Sequence, residues 1–361
     1  MTAGAVLNGG APAWIAHRTT DAATARSGRW HGDRMDNCEL ALESLIFACD
    51  TGALGQDNTR LSRAAQRGIL VRVKQGVYLR RSLWDALTPI ERHRVRLFMA
   101  ERLGGPGLVF SHASAAALLG LPILGRWPEK AHVLRDCAAG GRSTTGLARH
   151  ALGLDGVPLV TVNGLTVTAP SRTVIDLAVT MPFDSAVVSA DAAQRVDRRT
   201  RHSLTTPEEV RALLAGMMPF RGMRRAQTVL DASTTQSDSV GETLCRIILA
   251  ELGFASPELQ AEFSDAEGLI GYADFTWRHA RVILEFDGLG KYSDERYSHG
   301  RSPAQIVILE KKREDRLRDL GFRVIRVYWD DLRDPARLLR LLLEAGLQPL
   351  RTVREIRRPW L

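Results

Sequence analysis

The sequence predicts an α+β protein of several domains. It expects a small N-terminal domain of helices closed by a basic hairpin, a mixed α/β middle region and a C-terminal α/β domain. Three observations predict this. Residues 38–82 run helix, short basic helix, then two strands. The stretch DASTTQSDSV at 231–240 is small and polar, as linkers are, and divides the chain. Beyond it the apolar periodicity gives the order α, β, β, α, β, α. At 361 residues there is room for two or three domains, and an apolar content of 45% supplies their cores.

Residues 1–34 are rich in Ala, Gly, Thr and Arg without a period, so a disordered leader is expected, with Met35 as a candidate start. CELALESLIFACD at 38–50 spaces its apolar residues as a helix does. Asn58 can cap a short helix, TRLSRAAQRG, that stops at Gly68. ILVRVKQGVYLRR then alternates as two strands about a Lys74-Gln75-Gly76 turn. This order, over 35–82, is that of a winged helix-turn-helix. Arg60, Arg63 and Arg67 share one helix face, while Arg72 and Lys74 sit on the hairpin. Such cations suit DNA phosphates, and the formal net charge of +8 favours a polyanionic partner.

Residues 83–230 form the mixed middle region. One helix is expected over 83–104, a short strand before His112, and an Ala/Leu-rich helix after it. AHVLRD and VPLVTVNGLTVTAP read as strands, with Asn163-Gly164 as a hairpin turn. Helices follow at SRTVIDLAVTMP, DSAVVSADAAQR and TPEEVRALLAG, the last with Thr206 as N-cap and Pro207 in its first turn. His112 reads as a capping or core residue. No catalytic constellation stands out, so this region reads as scaffold or partner surface.

The C-terminal domain is expected over 241–348, with a basic tail at 349–361. Its elements are the helix SVGETLCRIILAELGF, the strands GLIGYADFTW and RVILEFDG, the helix AQIVILEKKREDRLRDLGF, the strand RVIRVYW and a last helix. Asp274 lies on the first strand and Glu285 on the second, so a hairpin lets them converge. Glu285 and Asp287 are two apart and share a strand face. Three carboxylates at one sheet edge suit a hard cation such as Mg²⁺ or Mn²⁺, which could position an attacking water. Ser239 and Glu242 fit a capping box, and Glu242 also stands where a helix acid could join the site. Between Lys311 and Arg326 there are seven basic and three acidic residues. Lys312 and Arg316 among them are candidates for phosphate contact.

GYADFTW, LEFDG, EKKREDRLRDLGF and RVIRV, in that order over about 236–345, resemble the PD-(D/E)XK nuclease superfamily, and within it small domains related to the very-short-patch-repair endonuclease Vsr. The resemblance implies a restriction-endonuclease-like fold and metal-dependent phosphodiester hydrolysis, with Asp274 and Glu285 as metal ligands. Asp287 stands where the broader superfamily has lysine. Lys291 or Lys312 is then the candidate for the missing positive charge. Over about 38–230, RVKQGVYL, LVFSHASAAALLGLP and VTAPSRTVIDLA resemble AbiEi-type antitoxins of type IV toxin–antitoxin systems. That resemblance implies promoter binding by the winged helix and autorepression, with a cognate toxin as a possible partner.

Cys38, Cys49, Cys137 and Cys245 form no C-x-x-C pair or zinc spacing, so free thiols in a reducing cytoplasm are expected. No apolar run reaches the roughly 18 residues of a membrane span. Three readings follow: a DNA-targeted, Mg²⁺-dependent endonuclease; an antitoxin-like repressor whose nuclease-like domain is inactive; and a nuclease acting on RNA.

Overall fold

A computed structural model describes residues 37–49, 58–104, 107–135, 146–197, 200–217, 219–288 and 303–350. Among them are thirteen helices and three sheets, a mixed α+β architecture. The expected leader, Met35, Lys291 and nearly all of the basic tail lie outside the described residues. Two compact units emerge. One joins residues up to 118 with 129–169, and the other joins 119–128 with 170–361. The division therefore does not fall at 231–240, where the polar stretch suggested it.

The first unit begins with α1 (Asn37–Glu43), β1 (Ile46–Phe47), α2 (Asn58–Gln66), β2 (Leu70–Lys74) and β3 (Val77–Arg80). The helix expected to reach residue 50 stops at Glu43. Ile46 and Phe47 pair instead with Tyr78 and Val77, which places the Phe47 ring in the core beside Cys38, Ala41 and Leu79. The sheet order is β1-β3-β2. The helix expected over 83–104 is two, α3 (Arg81–Ala86) and α4 (Pro89–Gly104). The break follows from Thr88, whose N–H and hydroxyl both donate to Glu91 Oε2 at 2.6 Å, capping a new helix with Pro89 at its start.

β4 (Val109–Phe110), α5 (His112–Leu119), β5 (Ala131–Arg135), β6 (Leu147–Ala151), β7 (Leu159–Val162) and β8 (Leu165–Thr168) follow. Their sheet runs β6-β5-β4-β8-β7. The hairpin at Asn163-Gly164 forms as expected, with both residues at positive φ, 48° and 78°. β6 was not anticipated: LARHA carries too few apolar residues to announce a strand.

In the second unit, α6 (Pro170–Thr180), α7 (Phe183–Gln194), α8 (Pro207–Gly216) and α9 (Met223–Ala232) pack together and lead to α10 (Val240–Glu251). Thr206 and Glu209 close the expected capping box of α8. Then come β9 (Glu258–Asp265), β10 (Gly268–Trp277), β11 (Val282–Phe286), α11 (Pro303–Asp319), β12 (Arg323–Val327), α12 (Trp329–Arg333) and α13 (Pro335–Glu344). The sheet order is β12-β11-β10-β9, with β11 and β12 parallel and the other pairs antiparallel. One face buries Leu244, Ile248, Phe275, Leu284, Phe286 and Val327 with α10, α12 and α13. The other buries Phe263, Ile270, Ile283 and Leu317 with α11.

The 231–240 stretch is tied down within this unit. Asp191 of α7 accepts from Thr234 N at 2.7 Å and from Thr243 Oγ1 at 2.9 Å. Arg246 of α10 reaches Asp191 Oδ2 and the Ala232 carbonyl, each at 2.6 Å. The helices 170–232 and the C-terminal sheet are thus joined through one buried polar knot. Among the described residues no helix is long and apolar enough to cross a membrane.

Candidate active site

The acids singled out in the sequence gather where β10 and β11 part. Their antiparallel pairing ends at Phe275 and Leu284, so Asp274 and Glu285 come next on each strand. Asp274 Oδ2 accepts from Phe286 N at 2.9 Å, standing in for the ladder partner that the parting strands leave out. Asp274 Oδ1 accepts from Gln260 Nε2 at 3.2 Å.

Gln260 lies on β9 between the pairs Leu259–Phe275 and Ala261–Ala273, yet its φ is 48°. A side-chain-bearing residue in that region costs on the order of 1–3 kcal/mol and persists where its surroundings fix it. Here the same Nε2 also reaches Glu242 Oε2 at 3.3 Å. One amide thus bridges two carboxylates from different elements.

Glu242 comes from the first turn of α10. Ser239 caps that helix, accepting from Glu242 N at 3.2 Å. Glu242 accepts in return from the Ser239 hydroxyl at 2.8 Å and from Asp238 N at 2.9 Å. The capping and site readings of Glu242 therefore meet in one side chain. Burial first, and then the charge of Asp274, pushes the Glu242 carboxyl up, while the bonds from Asp238 and Ser239 pull it back. The close approach of α10 depends on Gly241, because a Cβ there would overlap the Phe286 ring.

Glu285 and Asp287 share the α11 face with Ile283, as their spacing predicted. Glu285 Oε1 lies 2.8 Å from Arg313 Nη1. That oxygen is shielded from solvent but receives no aligned N–H, so the contact is Coulombic without a directed hydrogen bond. Arg313 Nη2 donates to the Tyr272 carbonyl at 2.6 Å. Asp287 lies 3.6 Å from Arg326 of β12, which also pairs with Glu310 at 3.2 Å and Glu314 at 3.1 Å. Burial works against the Arg326 charge, but Glu310, Glu285 and Glu314 together hold it firmly protonated.

The three expected ligands thus take different partners: Asp274 shares the Gln260 amide with Glu242, Glu285 faces Arg313, and Asp287 faces Arg326. Among the described residues no set of three His, Cys, Asp or Glu side chains is already arranged to hold a metal. The donor chemistry still fits a hard divalent cation: Glu242 and Asp274 are within reach of one amide, and Glu285 offers an under-used buried oxygen. Lys312 is exposed on α11. Arg316 is drawn away from the acids by Asp265, donating through Nε at 2.7 Å, and by the Gly268 carbonyl at 3.0 Å.

Sequence reasoning missed Gln260, Arg313 and Arg326. The alternation of Leu259, Ala261 and Phe263 with Gln260, Glu262 and Ser264 was the available signal for β9.

In the first unit, Arg60, Arg63, Arg67 and Arg72 are exposed, on α2, just after it and on β2. Lys74 is half-buried, its Nζ near Gly146. Gly68 takes a positive φ of 75° where α2 ends, as expected.

The same unit holds a row of histidines across adjacent strands. His112 is buried after β4, as the core reading expected, with φ at 51°. Its ring stacks on His150 of β6 at 3.7 Å between centroids, and His150 Nε2 lies 3.0 Å from His132 Nδ1 of β5. Ser111 and Ser114 contact the row, and Ser114 links it to His93 of α4. Burial, then repulsion from His150, lowers His132 to about 4. A base whose folded pKa is lowered gives stability above its ordinary value of about 6.5, lost as pH falls towards 4. Unfolding free energy is therefore expected to drop over pH 6.5–4 by at most about 3 kcal/mol, less for a ring only partly shielded. Urea titrations across that range should show a flatter slope for His132→Gln; an unchanged slope would remove His132 as the cause.

No family model matches the chain. Two uncharacterized proteins of Mycobacterium tuberculosis, MT2308 of strain CDC 1551 / Oshkosh and Rv2248 of strain ATCC 25618 / H37Rv, are each 28% identical to it over 280 residues, covering 77% of this chain and 93% of theirs. The crystal structure of the RV2827C protein from the same species aligns with 64% of this chain and 87% of its own, at 16% identity and a TM-score of 0.33. The chain is thus similar to MT2308 and Rv2248 along nearly their whole length.

Proposed function

We propose that this protein is a DNA-binding, metal-dependent endonuclease whose chemistry resides at Glu242, Asp274 and Glu285. The observation that carries the reading is the bridge at Gln260. A strained backbone holds one amide between two carboxylates, one of them buried and pushed towards its neutral form. Like charges this close in a partly dry site are costly unless a cation joins them.

Glu242 and Asp274 would hold a Mg²⁺ or Mn²⁺ ion, with Glu285 joining once its contact with Arg313 opens. The ion would acidify an attacking water and steady the leaving oxygen. In the hydrolysis the water gives up a proton as its oxygen bonds to phosphorus, the P–O bond to the leaving sugar oxygen breaks, and that oxygen takes up a proton from solvent, so one water is divided between the two products. Gln260 orients the two carboxylates, and Phe286 N fixes Asp274. For docking, the winged-helix reading of residues 35–82 gives Arg60, Arg63 and Arg67 to the DNA backbone from one helix face, with Arg72 and Lys74 from the hairpin. Such contacts weaken steeply with salt.

A plasmid-nicking assay with Mg²⁺ or Mn²⁺ tests this. Wild type is expected to cleave, and Asp274→Ala, Glu285→Ala and Glu242→Gln to lose at least about a hundredfold in rate, the scale of losing a key electrostatic group. Cleavage that persists in both alanine variants rejects the site. RNA in place of the plasmid distinguishes the two substrates.

One observation favours a second reading, an antitoxin-like autorepressor with an inactive nuclease-like domain. Arg313 and Arg326 already balance Glu285 and Asp287 without a metal ion. No cleavage by any form, with tight binding to the protein's own operon promoter, would select it.

A further inference from the structure

Resting on the endonuclease reading, we propose that Arg313 is the phosphate-contacting cation of the site, held on Glu285 until a divalent cation takes that carboxylate. Glu242, Asp274, Glu285 and Asp287 crowd negative charge at one end of the sheet, and a phosphodiester brings more. A substrate of that class needs a cationic side chain beside the metal.

The arginines near these acids differ in how they are held. Arg326 is gripped by Glu310 and Glu314 besides Asp287, so releasing it would break three ion pairs at once. Arg316 is drawn off by Asp265 through hydrogen bonds from both Nε and Nη2. Arg313 is held otherwise. Its Nη1 sits 2.8 Å from Glu285 Oε1 without an aligned hydrogen bond, so the contact is strong in charge and weak in direction. Its Nη2 is anchored on the Tyr272 carbonyl of β10, two residues before Asp274. That anchor keeps the guanidinium beside the site when Glu285 turns to a metal. The released face can then donate to a non-bridging oxygen of the scissile phosphate, to which a guanidinium is matched.

The arrangement makes Arg313 a competitor of the metal and a partner of the substrate, so its removal acts in opposite directions on the two. The test is isothermal titration calorimetry of the full chain with Mn²⁺, beside nicking rates, for wild type, Arg313→Gln, Arg313→Lys and Asp274→Ala. Circular dichroism and melting curves confirm that each is folded. Arg313→Gln is expected to bind Mn²⁺ about tenfold more tightly and to nick about a hundredfold more slowly, the scale of losing one electrostatic donor. Arg313→Lys should fall between. A purely structural ion pair would weaken or leave unchanged the Mn²⁺ affinity, and either result overturns the proposal, as does wild-type nicking by Arg313→Gln. If wild type binds Mn²⁺ and Asp274→Ala does not, the endonuclease site stands whatever Arg313 does. If wild type itself binds no Mn²⁺, the underlying site falls and Arg313 with it.

Discussion

Asp191→Ala is expected to lower the melting temperature of the full chain's second-unit transition by about 10 °C. Asp191 is 1% exposed and receives hydrogen bonds from Thr234 N, Thr243 Oγ1 and Arg246. Burial pushes its carboxyl up, and Arg246 is the main influence drawing it back. Removing the acid strands the Arg246 guanidinium without its carboxylate, held by the Ala232 carbonyl. Breaking a buried pair in this way costs about 3–5 kcal/mol, and about 2–4 °C of melting temperature accompanies each kcal/mol in a unit of this size. Replacing both partners, as Asp191→Ala with Arg246→Met, should cost clearly less than the two single changes summed, since no charge is then left alone. Calorimetric melting of the four proteins decides it: additive losses would mean the two residues do not act as a pair.

Gly241→Ala is expected to destabilise the chain by about 1–3 kcal/mol, as overpacking does, and to weaken Mn²⁺ binding with it. The added methyl group would overlap the Phe286 ring, so α10 or β11 must give way. Phe286 carries the N–H that holds Asp274, and Glu242 follows Gly241 directly, so any shift moves both carboxylates. Gly216→Ala is the control. It lies in α8 with no atom within 4 Å of the new Cβ, and should stabilise by about 0.4–1 kcal/mol through the unfolded chain. Urea denaturation separates the two substitutions by sign. Equal stability for Gly241→Ala and wild type would show that α10 does not need this close approach.

Both effects arise from contacts that local sequence hardly announces. The hairpin of Asp274 and Glu285 was legible because apolar alternation and a short turn fix both strands. So were α11, β12 and the cap of α8. The polar run 231–240 reads as a linker because nothing nearby in sequence pairs with it, whereas its partner Asp191 lies 43 residues before Thr234. The helix expected to residue 50 fails for a related reason: Ile46 and Phe47 suit a helix locally, but pairing with β3 wins. Gln260 was hidden most deeply. Glycine or asparagine would have advertised a positive φ; glutamine does not. Arg313 and Arg326 were visible as charges, but their choice of acid partners depends on which face of the sheet α11 covers.

The parallel pairing of β11 and β12 also orders events in time. β9, β10 and β11 can join as neighbours soon after they leave the ribosome, and they carry Asp274 and Glu285 towards the end of α10. β12 can pair only after α11 has crossed the sheet, a long loop closure of the slower kind. Through that interval the acids are assembled first, Arg313 follows with α11, and Arg326 comes last, so the charge balance of the site is completed by the last strand to arrive.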